Sequence, residues 1–162
     1  MVTDMARERA GLVLAACRAR GWALGTAESC TGGLVSAALT AVPGASAVME
    51  RGLVTYTNAA KMDLLDVPAA TLETHGAVSA PVAEAMAAGL LARAPVQAAV
   101  SVTGIAGPNG GTPLKPVGLV YVGAATTAAG ATHRRTIFAG DRDTVRSRSV
   151  AVALDLLLDL VA

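Results

Sequence analysis

The stretch QAAVSVTGIAGPNGG, residues 97–111, decides the architecture. Gln97 to Thr103 is a continuous apolar run, the composition expected of a central strand covered on both faces. Gly104 to Gly111 follows it and is too rich in glycine to be regular structure. A strand covered on both sides requires a layer of helices above and below the sheet. The chain on either side supplies them. A first helix is expected over Asp4–Arg20, capped by Thr3 or Asp4, with Met5, Leu12, Val13 and Ala16 on its apolar face and Gly21 as its stop. Trp22–Ala27 reads as a short strand and Leu34–Val42 as a helix ending at Pro43-Gly44. Arg51–Thr57 reads as a strand, and Asn58 as the cap of a helix with Lys61 on its first turn. A short helix over Val67–Glu73 and a longer one over Ala80–Ala94, with Ser79 as N-cap and Pro81 near its start, lead into the central strand. After the glycine loop, Val117–Ala125 and Ala131–Phe138 form a hairpin turning at Ala129-Gly130, and a last helix starts near Asp141–Thr144. The fold expected is α/β: a three-layer α/β/α sandwich, with a mixed, mostly parallel sheet and a late antiparallel strand pair, in a single domain spanning 1–162.

Composition narrows the function. Hydrophobic residues are 53% of the 162 and charged residues 15%, which excludes a disordered chain. Aromatics are only 2%, so the core is built from small side chains. Thirteen basic against 12 acidic residues leave a net charge of +1, no footprint for nucleic acid. The cluster Arg142, Arg146, Arg148 reads as a solvated helix face. Met1 to Arg9 lacks the apolar stretch of a signal peptide, and the apolar end Val150–Ala162 is shorter than the ~20 residues a membrane span needs. Cys17 and Cys30 have no metal or redox spacing. No membrane or nucleic-acid partner, no metal and no cofactor are expected, and a reducing cytoplasm is the default location.

Three strand ends collect hydroxyls, glycines and one lysine: Glu28–Gly33, Tyr56–Lys61 and Thr103–Gly111. Ligand sites of open α/β sheets form beyond the carboxyl ends of the strands. At the first end, Ser29 sits beside backbone N–H groups able to hold an oxyanion, and Gly32 and Gly33 let a ligand approach closely. The same spacing also suits Ser29 and Thr31 as simple helix caps, and Cys30 is a rival nucleophile. A serine nucleophile needs a base. His75 and His133 belong to no triad pattern. Lys61 serves if burial depresses its pKa, and is otherwise a solvated lysine. The Gly104–Gly111 loop suits a phosphate, though it is neither a Walker A nor a Rossmann sequence. Asp141 suits a helix cap and Arg142 an anion.

Five collinear motifs carry a family resemblance: TAESCTGGLVSAAL (26–39), PGASAVMERGLVTYTNAAK (43–61), HGAVS (75–79), SVTGIAGPNGGTPLKPVG (101–118) and FAGDRDTVR (138–146). Together, from about Ala23 to Leu158, they resemble the carboxy-terminal domain of the CinA (competence/damage-inducible) proteins. The resemblance implies a nicotinamide-nucleotide amidohydrolase, which turns nicotinamide mononucleotide and water into nicotinate mononucleotide and ammonia through an acyl-enzyme. The longer members carry an additional amino-terminal domain with a pyrophosphatase activity, which is not expected here. Carried onto this chain, the resemblance implies Ser29 as nucleophile, Lys61 as base, Tyr56 orienting the lysine or relaying a proton, and Thr103 with the amides near Cys30 and Thr31 as oxyanion donors. Gly32, Gly33, Asn58, Gly104, Ala106, Gly107 and Arg142 would bind the nucleotide, the last with the glycine loop taking the phosphate. Thr57 and Asp66 depart from the family's usual serine and glycine, and Asn109 and Thr112 vary the loop. A non-catalytic nucleotide-binding module is the alternative. Self-association is expected from the alanine- and valine-rich composition and the apolar last helix.

Overall fold

The computed structural model describes residues 2–162; Met1 lies outside the described residues. Among the described residues, six α-helices and five strands follow in the order α1 (Asp4–Ala19), β1 (Leu24–Glu28), α2 (Leu34–Thr40), β2 (Met49–Val54), α3 (Asn58–Leu65), α4 (Ala69–His75), α5 (Ala80–Arg93), β3 (Ala98–Gly104), β4 (Leu119–Thr126), β5 (Gly130–Ile137) and α6 (Arg142–Val161). The strands form one sheet in the order β2-β1-β3-β4-β5. The first three are parallel, and β4 and β5 complete the sheet antiparallel. One face is covered by α1, α2 and α6 and the other by α3, α4 and α5, each with its own apolar cluster. The three-layer architecture and the late hairpin read from the sequence are those of the protein. No helix among the described residues is long and apolar enough to cross a membrane.

Small side chains let the layers come close. On α5, a Cβ at Gly89 would overlap the Leu65 carbonyl at the end of α3, so the absent side chain seats α3 against α5. The buried stripe of α1 is Ala6, Ala10, Val13, Leu14 and Cys17. The sequence reading put Met5 and Leu12 on that stripe, and they are 64% and 52% exposed. The stripe keeps helical period, but two of its five members are alanine, whose small side chain marks an apolar face less clearly than Met5 or Leu12 would. β2 starts two residues earlier than expected and ends three earlier: Val54 ends it, and Thr55–Thr57 leave the sheet despite their β-forming composition. Thr57, not Asn58, caps α3 by accepting from the Ala60 amide. Ser79 stands at the N-cap of α5, but its hydroxyl donates to the Gly76 carbonyl instead of capping. Asp66, where the family's glycine is usual, closes α3 in the left-handed region at φ 53°.

The topology makes a crevice. β1 exits into α2 on one face of the sheet, while its neighbour β2 exits into α3 on the other. Adjacent strands whose chains leave to opposite faces open a gap at their carboxyl ends, where α/β proteins place ligands.

Candidate active site

Ser29 follows the last residue of β1, and its amide donates to the Val102 carbonyl of β3 at 2.9 Å. On the other side, the Thr55 amide donates to the Glu28 carbonyl at 2.8 Å. Extending the parallel register by one step therefore flanks Ser29 with Thr103 on β3 and Thr55 after β2, all three facing the α3–α5 layer.

Into this row comes Lys61 from the first turn of α3. It is 1% exposed, among the largest fully buried side chains. Its Nζ lies 3.1 Å from Ser29 Oγ and 2.8 Å from the Thr55 carbonyl. No carboxylate among the described residues pairs with it. Burial pushes its pKa down from the ordinary 10.5, with only the nearby Cys30 opposing. Burial thus shifts the amine toward its neutral form, the form that can take a proton. Cys30 is the poorer nucleophile: burial drives its thiol up to about 11, against the smaller opposing effects of its own amide, Arg142 and Arg146.

The turn after Ser29 is held from inside by Glu28, 1% exposed. One carboxylate oxygen accepts from the Gly33 and Val35 amides at 3.1 and 3.0 Å, the other from the Ser36 amide and hydroxyl at 2.9 and 3.1 Å. Glu28 thus caps α2, so Ser29 and Thr31 do not serve as its caps. Ser36 Oγ is also 2.5 Å from Thr26 Oγ1. Gly32, at φ +59°, turns the chain so that its amide bonds back to the Ser29 carbonyl at 3.0 Å. Among the described residues, the amides of Cys30 and Thr31 donate to no backbone or side-chain acceptor, the Cys30 amide having only its own sulfur beside it. The two buried side-chain oxygens without a partner among the described residues, Thr31 Oγ1 and Thr55 Oγ1, both flank Ser29.

The remaining residues are distributed differently from expectation. Thr103 is buried, but its hydroxyl donates to the Ala77 carbonyl at 2.8 Å, which leaves its oxygen an acceptor and not an oxyanion donor. Tyr56 is 58% exposed, and its hydroxyl bonds Arg142 at 3.0 Å, not Lys61. The other arm of Arg142 donates to the Gly107 carbonyl at 2.8 Å, tying the glycine loop to the chain after β2. Ala106 and Gly107 are buried and Gly104 half-buried, and the amides of Ala106, Gly107, Asn109 and Gly110 have no acceptor among the described residues. Asn58 is exposed, in a shallow cleft with Met62, Ala69, Leu72 and Glu73, and bonds neither Ser29 nor Lys61. The arginine cluster of α6 is not one solvated face: Arg142, though exposed, and the half-buried Arg146 bond to the loops of the site, while Arg148 faces solvent. Glu28, Thr55 and Arg146 were missed in the sequence, where Glu28 stood beside Ser29 as the one signal available.

Comparison with known proteins gives one consistent picture. The CinA C-terminal domain family matches residues 6–161. The chain is 50% identical to the nicotinamide-nucleotide amidohydrolase PncC of Escherichia coli K12, over 88% of this chain and 86% of that one. It is 52% identical to a CinA-like protein of Mycolicibacterium vanbaalenii over 85% of this chain, but spans only 32% of that longer relative. Among solved structures, the competence/damage inducible protein CihA of Agrobacterium tumefaciens superposes with a TM-score of 0.96 at 43% identity, covering 99% of this chain and 98% of that one.

Proposed function

Because the chain belongs to the CinA C-terminal domain family, we propose that it is a nicotinamide-nucleotide amidohydrolase that releases ammonia from nicotinamide mononucleotide. The observation that carries the chemistry is the buried approach of Lys61 Nζ to Ser29 Oγ at 3.1 Å. Neutral Lys61 takes the Ser29 proton, and the oxygen attacks the carboxamide carbon. The open amides of Cys30 and Thr31 receive the developing oxyanion, each such donor being worth ~3 kcal/mol of barrier. The Lys61 ammonium returns its proton to the departing nitrogen, and ammonia leaves an acyl ester on Ser29. Water, deprotonated by Lys61, then hydrolyses that ester to the carboxylate and frees the serine.

The nucleotide phosphate lies toward the free amides of the glycine loop and Arg142. Tyr56, by accepting from Arg142, keeps that guanidinium aimed at the loop instead of handling the lysine's proton. The reading takes the chain as one catalytic domain, acting in the cytoplasm. Self-association would cover the exposed apolar side chains of Val54, Tyr56, Met62 and Leu64 around the crevice. The test is ammonia release from nicotinamide mononucleotide by purified protein, with nicotinate mononucleotide as co-product. Tight binding of the nucleotide without ammonia would instead favour the non-catalytic module.

A further inference from the structure

Arg146 sits on the second turn of α6, 27% exposed, and both of its bonds into the site end on backbone carbonyls of the turn after Ser29. Its Nε donates to the Cys30 carbonyl at 3.2 Å and an Nη to the Thr31 carbonyl at 3.1 Å. Its one carboxylate neighbour, Asp143, is 3.8 Å away and almost fully solvent-exposed. A guanidinium spent on two carbonyls instead of an ion pair needs an explanation.

Peptide geometry supplies one. In a trans peptide the C=O and the N–H of the next residue point in opposite directions. Holding the Cys30 carbonyl on the Arg146 side therefore turns the Thr31 N–H away from it. Holding the Thr31 carbonyl does the same to the Gly32 N–H, which donates to the Ser29 carbonyl. That second bond in turn fixes the opposite end of the Ser29–Cys30 peptide, the Cys30 N–H. Two hydrogen-bonded chains thus start at one guanidinium, and each ends on an amide with no acceptor among the described residues beyond the Cys30 sulfur. Each link also polarises the next, which makes the terminal N–H a stronger donor.

We propose that Arg146 is a positioning residue, which orients and polarises the Cys30 and Thr31 amides as a pair of oxyanion donors for Ser29 without touching the substrate itself. For its natural substrate this rests on the amidohydrolase reading, but the donors can be probed without that substrate. A fluorophosphonate phosphonylates an activated serine: the Ser29 oxygen bonds to phosphorus, its proton passes to Lys61 and fluoride leaves, through an intermediate whose phosphoryl oxygen requires the same amides.

The experiment compares wild type, Arg146→Met and Arg146→Lys in Ser29 labelling by fluorophosphonate and in kcat and KM for nicotinamide mononucleotide. Arg146→Met should label and turn over at least ~30-fold more slowly, approaching the ~100-fold loss of one whole donor. KM should stay within about threefold, and methylguanidinium added to the solution should restore part of the rate. Arg146→Lys, a single ammonium that cannot span both carbonyls, should fall between. If Arg146→Met does not fold, Arg146→Lys decides: a loss in kcat at constant KM supports the proposal, and wild-type kcat overturns it. Wild-type labelling in Arg146→Met, or a loss confined to KM, overturns it as well. Wild-type protein that labels but releases no ammonia ends the amidohydrolase reading alone, while protein that does neither ends both.

Discussion

Lys61 reaches Ser29 across 32 residues of sequence, from a helix on one face of the sheet to a turn that leads to the other, and arrives with no carboxylate partner among the described residues. Among the described residues the amine is held by Ser29 Oγ and the Thr55 carbonyl, both neutral. A buried, unpaired lysine is destabilising when charged, so its retention in this place has to be read through chemistry and not through stability.

Lys61→Met keeps the length of the side chain and removes the ionisable group. Activity should fall at least ~100-fold, the scale of lost acid–base assistance, while the unfolding midpoint at neutral pH should equal or exceed that of wild type. The pH dependence has a definite sign. The folded protein holds Lys61 below its unfolded pKa, so between the two values the unfolded chain binds more protons. Wild-type stability should therefore gain relative to the variant as pH rises from the depressed pKa toward 10.5, and the gap between them should close. Wild-type kcat/KM should rise through the same depressed pKa, since the base acts when neutral. Denaturant midpoints that run parallel from neutral pH to pH 10 would show that Lys61 is ionised in the fold.

Ser29 and Cys30 are adjacent nucleophiles, and burial separates them. With its thiol near 11, Cys30 is almost wholly protonated at neutral pH. Cys30→Ser should retain turnover within about threefold, and iodoacetamide at neutral pH should leave the enzyme active. Ser29→Ala should fold and bind nucleotide but lose at least ~100-fold in kcat. Inactivation by iodoacetamide in step with alkylation of Cys30 would move the nucleophile to the neighbouring residue.

Arg142 joins the glycine loop to Tyr56 through Gly107, at 2.8 and 3.0 Å. A guanidinium already oriented in this way meets a phosphate at little further ordering cost. Arg142→Ala should raise KM for the mononucleotide by about 10- to 100-fold, the range of one charged hydrogen bond. It should change kcat/KM little for the corresponding nucleoside, which lacks the phosphate. Equal losses on both substrates would place Arg142 at the reacting end instead.

Much of this was open to reading from the sequence, because the fold is written in local pattern. The apolar run at 97–103 gave the central strand, and the glycines after two strands, with Lys61 after a third, gave the edges of the crevice. Element ends were less legible. The Thr55–Thr57 segment has strand composition, yet it leaves β2 so that the Thr55 carbonyl can meet Lys61. Arg146 was illegible for a different reason. Its partners are backbone carbonyls 115 and 116 residues away, and a carbonyl leaves no mark on residue type. The same holds for the hydroxyl of Thr103: its residue type suits a donor, but the Ala77 carbonyl that occupies it lies 26 residues away.

Glu28 is the last case, and its prediction follows from counting donors. Both carboxylate oxygens accept, two hydrogens each, from Gly33, Val35 and Ser36. Glu28→Gln preserves shape but replaces one acceptor with an NH₂ that must face two donors, whichever way the amide is turned. Leaving such groups unsatisfied in a buried site costs about 1–3 kcal/mol, or roughly 3–10 °C in unfolding midpoint for a chain of this size. Because the turn bearing Ser29 is anchored by the same carboxylate, kcat should fall together with the midpoint. Ser36→Ala removes only the hydroxyl among those donors and should show a smaller shift in both. If Glu28→Gln melts at the wild-type temperature with wild-type kcat, the carboxylate does not hold the turn, and the order of the Ser29–Gly33 segment must come from Arg146 and the backbone bonds of Ser29, Thr31 and Gly32.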